Sequence, residues 1–119
     1  MSKPTPLLLV DDDSSNLLTF AAVLEDEGFE VVCASSVQEA RRALDPGRAF
    51  AAAVVDLNLD GEDGLALATE LRAEGSAQSV FILSGDPQGL EAPAGIDGWL
   101  LKGTAIDELI DQLRAGLPA

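Results

Sequence analysis

Bases, cysteine and histidine are the scarce residues of this chain. Its 119 residues hold 7 lysines and arginines against 21 aspartates and glutamates, with no histidine and one cysteine, for a net charge of -14. A chain so acidic repels polyphosphate backbones and offers no basic stripe, which argues against direct nucleic-acid binding. Cys33 has no partner for an internal disulfide, and its apolar strand-like setting predicts a small buried hydrophobe. No apolar run approaches the ~20 residues of a membrane span. The start, Met-Ser-Lys-Pro-Thr-Pro, lacks a signal-peptide core, so a cytoplasmic protein without membrane association is expected. Repeats, linkers and low-complexity segments are absent too, and the length suits one domain over residues 1–119.

What is present is an alternation of strand and helix signals. Leu7 to Val10 is an apolar run ending in Asp11-Asp12-Asp13, as for a strand covered on both faces. Ser14 and Ser15 can cap a helix with Leu17, Phe20, Ala21 and Leu24 inward, closed by Gly28. Glu30 to Ala34 is a second strand. Ser36-Val37-Gln38-Glu39 is a capping box that opens a helix with Val37, Ala40 and Leu44 inward. Ala51 to Asp56 is the third strand, followed by a Gly/Asp-rich turn and a helix over Leu65 to Glu74. Val80 to Leu83 is the fourth. Between Asp86 and Gly95 the prolines and glycines leave room only for a short or irregular fourth helix. Trp99 to Leu101 is the fifth strand, and Thr104 caps a last helix whose inner face is Ile106, Leu109, Ile110, Leu113 and Leu117.

This pattern predicts an α/β fold: one doubly wound five-stranded parallel sheet with helices on both faces. In the common flavodoxin-like order 2-1-3-4-5, ligands bind beyond the carboxyl ends of the strands, at the switch point between strands one and three. Asp11, Asp12, Asp56, Ser84 and Lys102 all fall at such ends. Carboxylates so close raise one another's pKa unless a cation or Lys102 offsets them. The hard cation that binds through one or two carboxylates and keeps room for phosphate oxygens is Mg2+. An aspartate can then serve as nucleophile and form an aspartyl phosphate, with charge neutralisation doing most of the catalysis. Mg2+ on Asp12 and Asp56, the Lys102 ammonium, the Ser84 hydroxyl and backbone N–H groups would each take a phosphoryl oxygen. The plainer readings are that Asp56 caps a turn, Asp11 to Asp13 cap the first helix, and Lys102 pairs with any nearby acid.

VDDD at Val10 to Asp13, VVDLNLDGEDG at Val54 to Gly64, LSGD at Leu83 to Asp86 and GWLLKG at Gly98 to Gly103 resemble the CheY-like receiver domain of two-component response regulators. The resemblance spans essentially the whole chain. It implies a phosphorylation-dependent switch in a phosphorelay, with Asp56 as phosphoacceptor from a histidine kinase or phosphotransfer protein. Asp12, Asp56 and the Asn58 carbonyl would ligate Mg2+ directly and Asp11 through water. Ser84 and Lys102 would hold the phosphoryl group, and Trp99 takes the place of a switch aromatic. Such a domain is not a conventional enzyme; self-phosphorylation from small donors and autodephosphorylation are its expected activities. Asn58 and Asp86, two residues after Asp56 and Ser84, would flank the attacking water and favour a short-lived phosphoryl state. A downstream protein partner would be met through the fourth helix, fifth strand and fifth helix.

The chain departs from the family's pattern at Asp60 and Gly103, where proline is usual, in a shortened stretch between Ser84 and Lys102, and in the size of Trp99. A cis bond before Gly103 would cost ~3 kcal/mol, so a trans bond and a displaced loop are expected there. These departures define the alternative, a receiver-fold interaction module that works without phosphoryl transfer. A Mg2+-dependent phosphatase would need a second aspartate where Asn58 stands, and an electron-transfer flavoprotein would need a hydroxyl-rich loop where Asp11 to Asp13 stand. The sequence holds no DNA-binding or enzymatic domain up to Leu117-Pro118-Ala119, so a stand-alone receiver and a piece of a larger regulator or hybrid kinase are both open.

Overall fold

The computed structural model describes residues 5–44, 49–59, 61–85 and 96–117. In chain order these form β1 (Thr5–Val10), α1 (Ser14–Asp26), β2 (Phe29–Ala34), α2 (Val37–Ala43), β3 (Phe50–Asp56), β4 (Asn58–Leu59), β5 (Glu62–Asp63), α3 (Gly64–Glu74), β6 (Ala77–Ser84), β7 (Gly98–Leu101) and α4 (Ile106–Ala115). The main sheet is parallel, in the order β2-β1-β3-β6-β7. This is the expected 2-1-3-4-5 arrangement with β6 and β7 as strands four and five.

Period-2 alternation along each strand sorts its side chains onto two faces. Leu7, Leu9, Ala52, Val54, Phe81 and Leu83 join α1 and α4 in one core. Leu8, Val10, Ala53, Val55, Val80 and Ile82 join α2 and α3 in the other. Both faces are dry, which is why the central strands read as unbroken apolar runs. Among the described residues no helix is long and apolar enough to cross a membrane.

The pairing register sets the strand tips level. Val10 lies opposite Ala34 and Val55, Asp56 opposite Leu83, and Ser84 opposite Leu101. The residues that follow these tips therefore gather along one edge.

Several local expectations change. Asp13, rather than Ser14 or Ser15, caps α1 by accepting from the Ser15 and Asn16 N–H groups at 2.9 and 3.2 Å. Its backbone is extended, as a capping position requires, and its carboxylate suits the positive end of the helix. Ser36 caps α2 as expected, but Glu39 reaches past it to accept from the N–H and hydroxyl of Ser35, both at 2.8 Å. Thr104 does not cap α4; Ala105 holds that position without a side-chain hydrogen bond. Cys33 is exposed, because it lies on the edge strand β2 where no further strand covers it. The turn after Asp56 contains a short antiparallel hairpin, β4 with β5. The expected fourth helix, Asp60 and Asp86 lie outside the described residues.

Candidate functional site

The carboxyl edge of the sheet brings five of the expected residues together. Asp11 and Asp56 are each 2% exposed and Ser84 3% exposed, whereas Asp12 lies open to solvent. One carboxylate oxygen from each of Asp11, Asp12 and Asp56 falls within 4.8 Å of the others. Lys102, delivered by the end of β7, donates from Nζ to Asp56 Oδ2 at 2.8 Å. The Lys102 N–H donates to the Ser84 carbonyl at 2.7 Å, so β6 and β7 carry the serine and the lysine to the site together.

The other Asp56 oxygen is also engaged: Oδ1 accepts the Asn58 N–H at 3.1 Å. Asn58 is exposed, and its backbone is the part that meets the acid. Behind the turn, Gly64 opens α3 with no room for a side chain. A Cβ there would stand 1.8 Å from the Asp56 carbonyl oxygen and 2.9 Å from that of Leu57. The missing side chain lets the Gly64 N–H reach the Leu57 carbonyl at 3.0 Å. A glycine at the start of a helix, right after the capping Asp63, was the signal for this contact, and reading the stretch only as a turn missed it.

The electrostatics follow from burial. Loss of water is the main cause that pushes Asp11 up from 3.8 to about 6; the charge and hydrogen-bonding contact of Asp56 add to it, while the Asp13 N–H and Lys102 pull the other way. For Lys102, burial alone would lower the pKa. The hydrogen bond to Asp56 and the charges of Asp56, Asp11 and Asp12 outweigh it and raise the ammonium above 10.5. Three carboxylates against one ammonium leave an excess of negative charge on an all-oxygen donor set, and that fits a hard divalent cation.

The Lys102–Gly103 bond is trans, since no described residue follows a cis bond, and Gly103 takes φ 88. The absence of proline has not drawn Lys102 away from Asp56. An open cleft adjoins the pair, lined by Asp11, Asn16, Phe20, Leu83, Lys102 and Thr104. Trp99 stands apart on β7, partly buried against the α2 and α3 core, with its indole Nε1 buried and without a hydrogen-bond partner among the described residues.

Known proteins resemble this chain in sequence and fold. Residues 7–114 match the response regulator receiver domain. The transcriptional regulatory protein PrrA of Mycobacterium bovis is 34% identical over 113 residues, covering 92% of this chain and 48% of PrrA. The alginate biosynthesis transcriptional regulatory protein AlgB of Pseudomonas aeruginosa is 32% identical over 110 residues, 92% of this chain but 20% of AlgB. The chain thus spans half or less of the length of these relatives. A receiver domain (CheY-like) from Methylobacillus flagellatus superimposes with a TM-score of 0.81 at 30% identity, over 96% of this chain and 99% of that one. The response regulator TrrA of Thermotoga maritima, solved in complex with Mg2+-BeF, gives a TM-score of 0.82 at 23% identity, over 95% of this chain and 99% of that one. With the match covering nearly its whole length, this chain belongs to the response regulator receiver family, the phosphorylation-dependent signalling domains of two-component systems.

Proposed function

We propose that Asp56 is the phosphoacceptor of a receiver domain comprising residues 1–119, and that it takes its phosphoryl group from the phosphohistidine of a histidine kinase or phosphotransfer protein. The observation that carries this reading is the pairing of Lys102 with Asp56 at 2.8 Å inside a cluster of three acids. An Asp56 oxygen attacks phosphorus, the phosphorus–nitrogen bond breaks, and the imidazole leaves with the bonding electrons. Lys102 moves from the carboxylate to a phosphoryl oxygen, and the Ser84 hydroxyl takes another. Asp12, Asp56 and the Asn58 carbonyl would hold Mg2+ directly, with Asp11 holding it through water. The ion supplies charge neutralisation for the transferring group.

Hydrolysis returns the domain to its resting state. Asn58, beside Asp56, and Asp86 would orient the attacking water and keep the phosphoryl group short-lived. Trp99 would repack when Ser84 moves toward the phosphoryl oxygen, altering the surface of β7 and α4 that a downstream protein meets. The relatives PrrA and AlgB are transcriptional regulatory proteins, but the net charge of -14 argues against direct DNA binding by this chain itself. A cytoplasmic location follows from such a donor. The alternative of a module without phosphoryl transfer rested on Gly103 and on the shortened stretch after Ser84; Lys102 meets Asp56 despite the first, and most of the second lies outside the described residues.

Intact-mass measurement after incubation with Mg2+ and acetyl phosphate tests the reading. One added phosphoryl group is expected, absent in Asp56→Asn and in chelator. No adduct under rapid quenching, in protein that binds Mg2+, would establish the alternative.

A further inference from the structure

The hairpin that follows Asp56 is fastened at both ends. At its near end the Asn58 N–H meets Asp56 Oδ1. At its far end Asp63, opposite Asn58 in the register, caps α3 by accepting from Leu65 and Ala66. Glu62, opposite the buried Leu59, reaches across to α2, where its Oε1 accepts the Val37 N–H at 3.3 Å. Val37 is the first residue of α2, so its N–H has no acceptor within the helix, and a carboxylate there is also favoured by the helix dipole.

Ser35 and Ser36 connect Val37 to the tip of β2, and there the Ala34 carbonyl accepts the Asp11 N–H at 3.0 Å. The contacts run from Asp56 through Asn58 and the hairpin to Glu62, across to Val37, then back through Ala34 to Asp11, and the pairing of Val10 with Val55 closes the ring. Among the described residues Glu62 makes the side-chain hydrogen bond from the hairpin to the other half of this ring, beside the buried Leu59, which shares a core with Ala34 and Ala40.

We propose that Glu62 is a positioning residue of the cation site, holding the hairpin against α2 so that Asn58 and Asp56 keep a fixed place relative to Asp11. The inference rests on the Mg2+ reading above. An exposed hydrogen bond contributes little to overall stability, whereas residues that hydrogen-bond metal ligands commonly change affinity by roughly 10- to 100-fold; Glu62 acts one step further out, through the hairpin, so the low end of that range is expected. Metal affinity and stability therefore respond differently, which separates positioning from a merely structural role.

The experiment is calorimetric titration of Mg2+ into the chelator-stripped full chain, with urea unfolding in parallel, for wild type, Glu62→Ala and Glu62→Gln. Gln keeps the accepting oxygen. Glu62→Ala should weaken Mg2+ binding roughly tenfold with an almost unchanged unfolding midpoint, and Glu62→Gln should stay within about twofold to threefold of wild type. An alanine variant that binds Mg2+ as tightly as wild type overturns the inference. So does a glutamine variant as weak as alanine, which would trace the effect to charge and not to the contact. A wild type that takes no Mg2+ would instead overturn the underlying reading, and the inference with it.

Discussion

The two halves of the site are built differently. Asp56 is fixed by backbone: its strand is central, its carbonyl lies under Gly64, and its carboxylate accepts from the Asn58 N–H. Lys102 comes from the edge strand β7, with a side chain 36% exposed. Behind it stand Gly103 at φ 88 and a helix without a side-chain cap. The acid is held in place by packing, which cannot yield without cost, and the lysine is held by charge, which can be redirected. On the proposed function that division would suit a switch: the nucleophile would stay put while its counter-ion is free to change partners.

The largest disturbance expected is at Gly64. In Gly64→Ala the new methyl meets backbone, not a flexible side chain, so α3 or the Asp56 strand has to shift. A loss of about 3 kcal/mol in urea unfolding is expected, as for other overpacked sites, together with weaker Mg2+ binding. A stability loss below about 1 kcal/mol would mean that the acid half is not fixed by this contact.

Asp11→Asn should act in the opposite direction. The fold holds the Asp11 carboxyl at about 6 against an ordinary 3.8, so the folded state favours its protonated form. Below 3.8 the group is protonated folded or unfolded and costs nothing. As pH rises from 3.8 to about 6 the unfolded chain releases the proton first, stability falls, and the full penalty remains at higher pH. Asparagine keeps an oxygen for the Asp13 N–H and carries no charge. In chelator at neutral pH the variant should be more stable than wild type by on the order of 2 kcal/mol, and the gain should vanish near pH 4. Unfolding at both pH values checks this, and an equal gain at both would remove the ionic explanation.

Lys102→Met should have the smallest effect on folding, because the lysine head is partly in water. A loss of about 1 kcal/mol or less is expected in chelator. Mg2+ should bind several-fold more tightly once the competing ammonium is gone, since like charges in one site repel. Weaker Mg2+ binding in Lys102→Met would show that the lysine organises the acids instead of competing for them.

Much of this was legible in the sequence because strands buried on both faces and polar residues at their tips leave simple marks. Five apolar runs, each closed by an acid, a serine or a lysine, marked the strands, and the common five-strand order, assumed and then found, brought the site residues together. The hairpin was not legible: Asn58–Leu59 and Glu62–Asp63 are too short to show a period of two. Glu62 and Gly64 acquire meaning only from the chain segments they touch, which lie elsewhere in the fold. The α1 cap was placed at Ser14 or Ser15, one or two residues late, with Asp13 given only in the plainer reading, because all three are good caps and only the backbone decides among them. Cys33 misled because an apolar run on an edge strand looks like one in the interior.

Trp99 is the sole tryptophan, and the chain has no tyrosine. Ultraviolet emission from this protein therefore arises from one indole on β7, whose ring nitrogen is shielded from water and lacks a partner among the described residues. Any motion that wets that nitrogen, or gives it an acceptor, would change the colour and brightness of the light. The strand next to Lys102 thus carries its own optical gauge, free of background when light is chosen that the indole absorbs and the four phenylalanines do not.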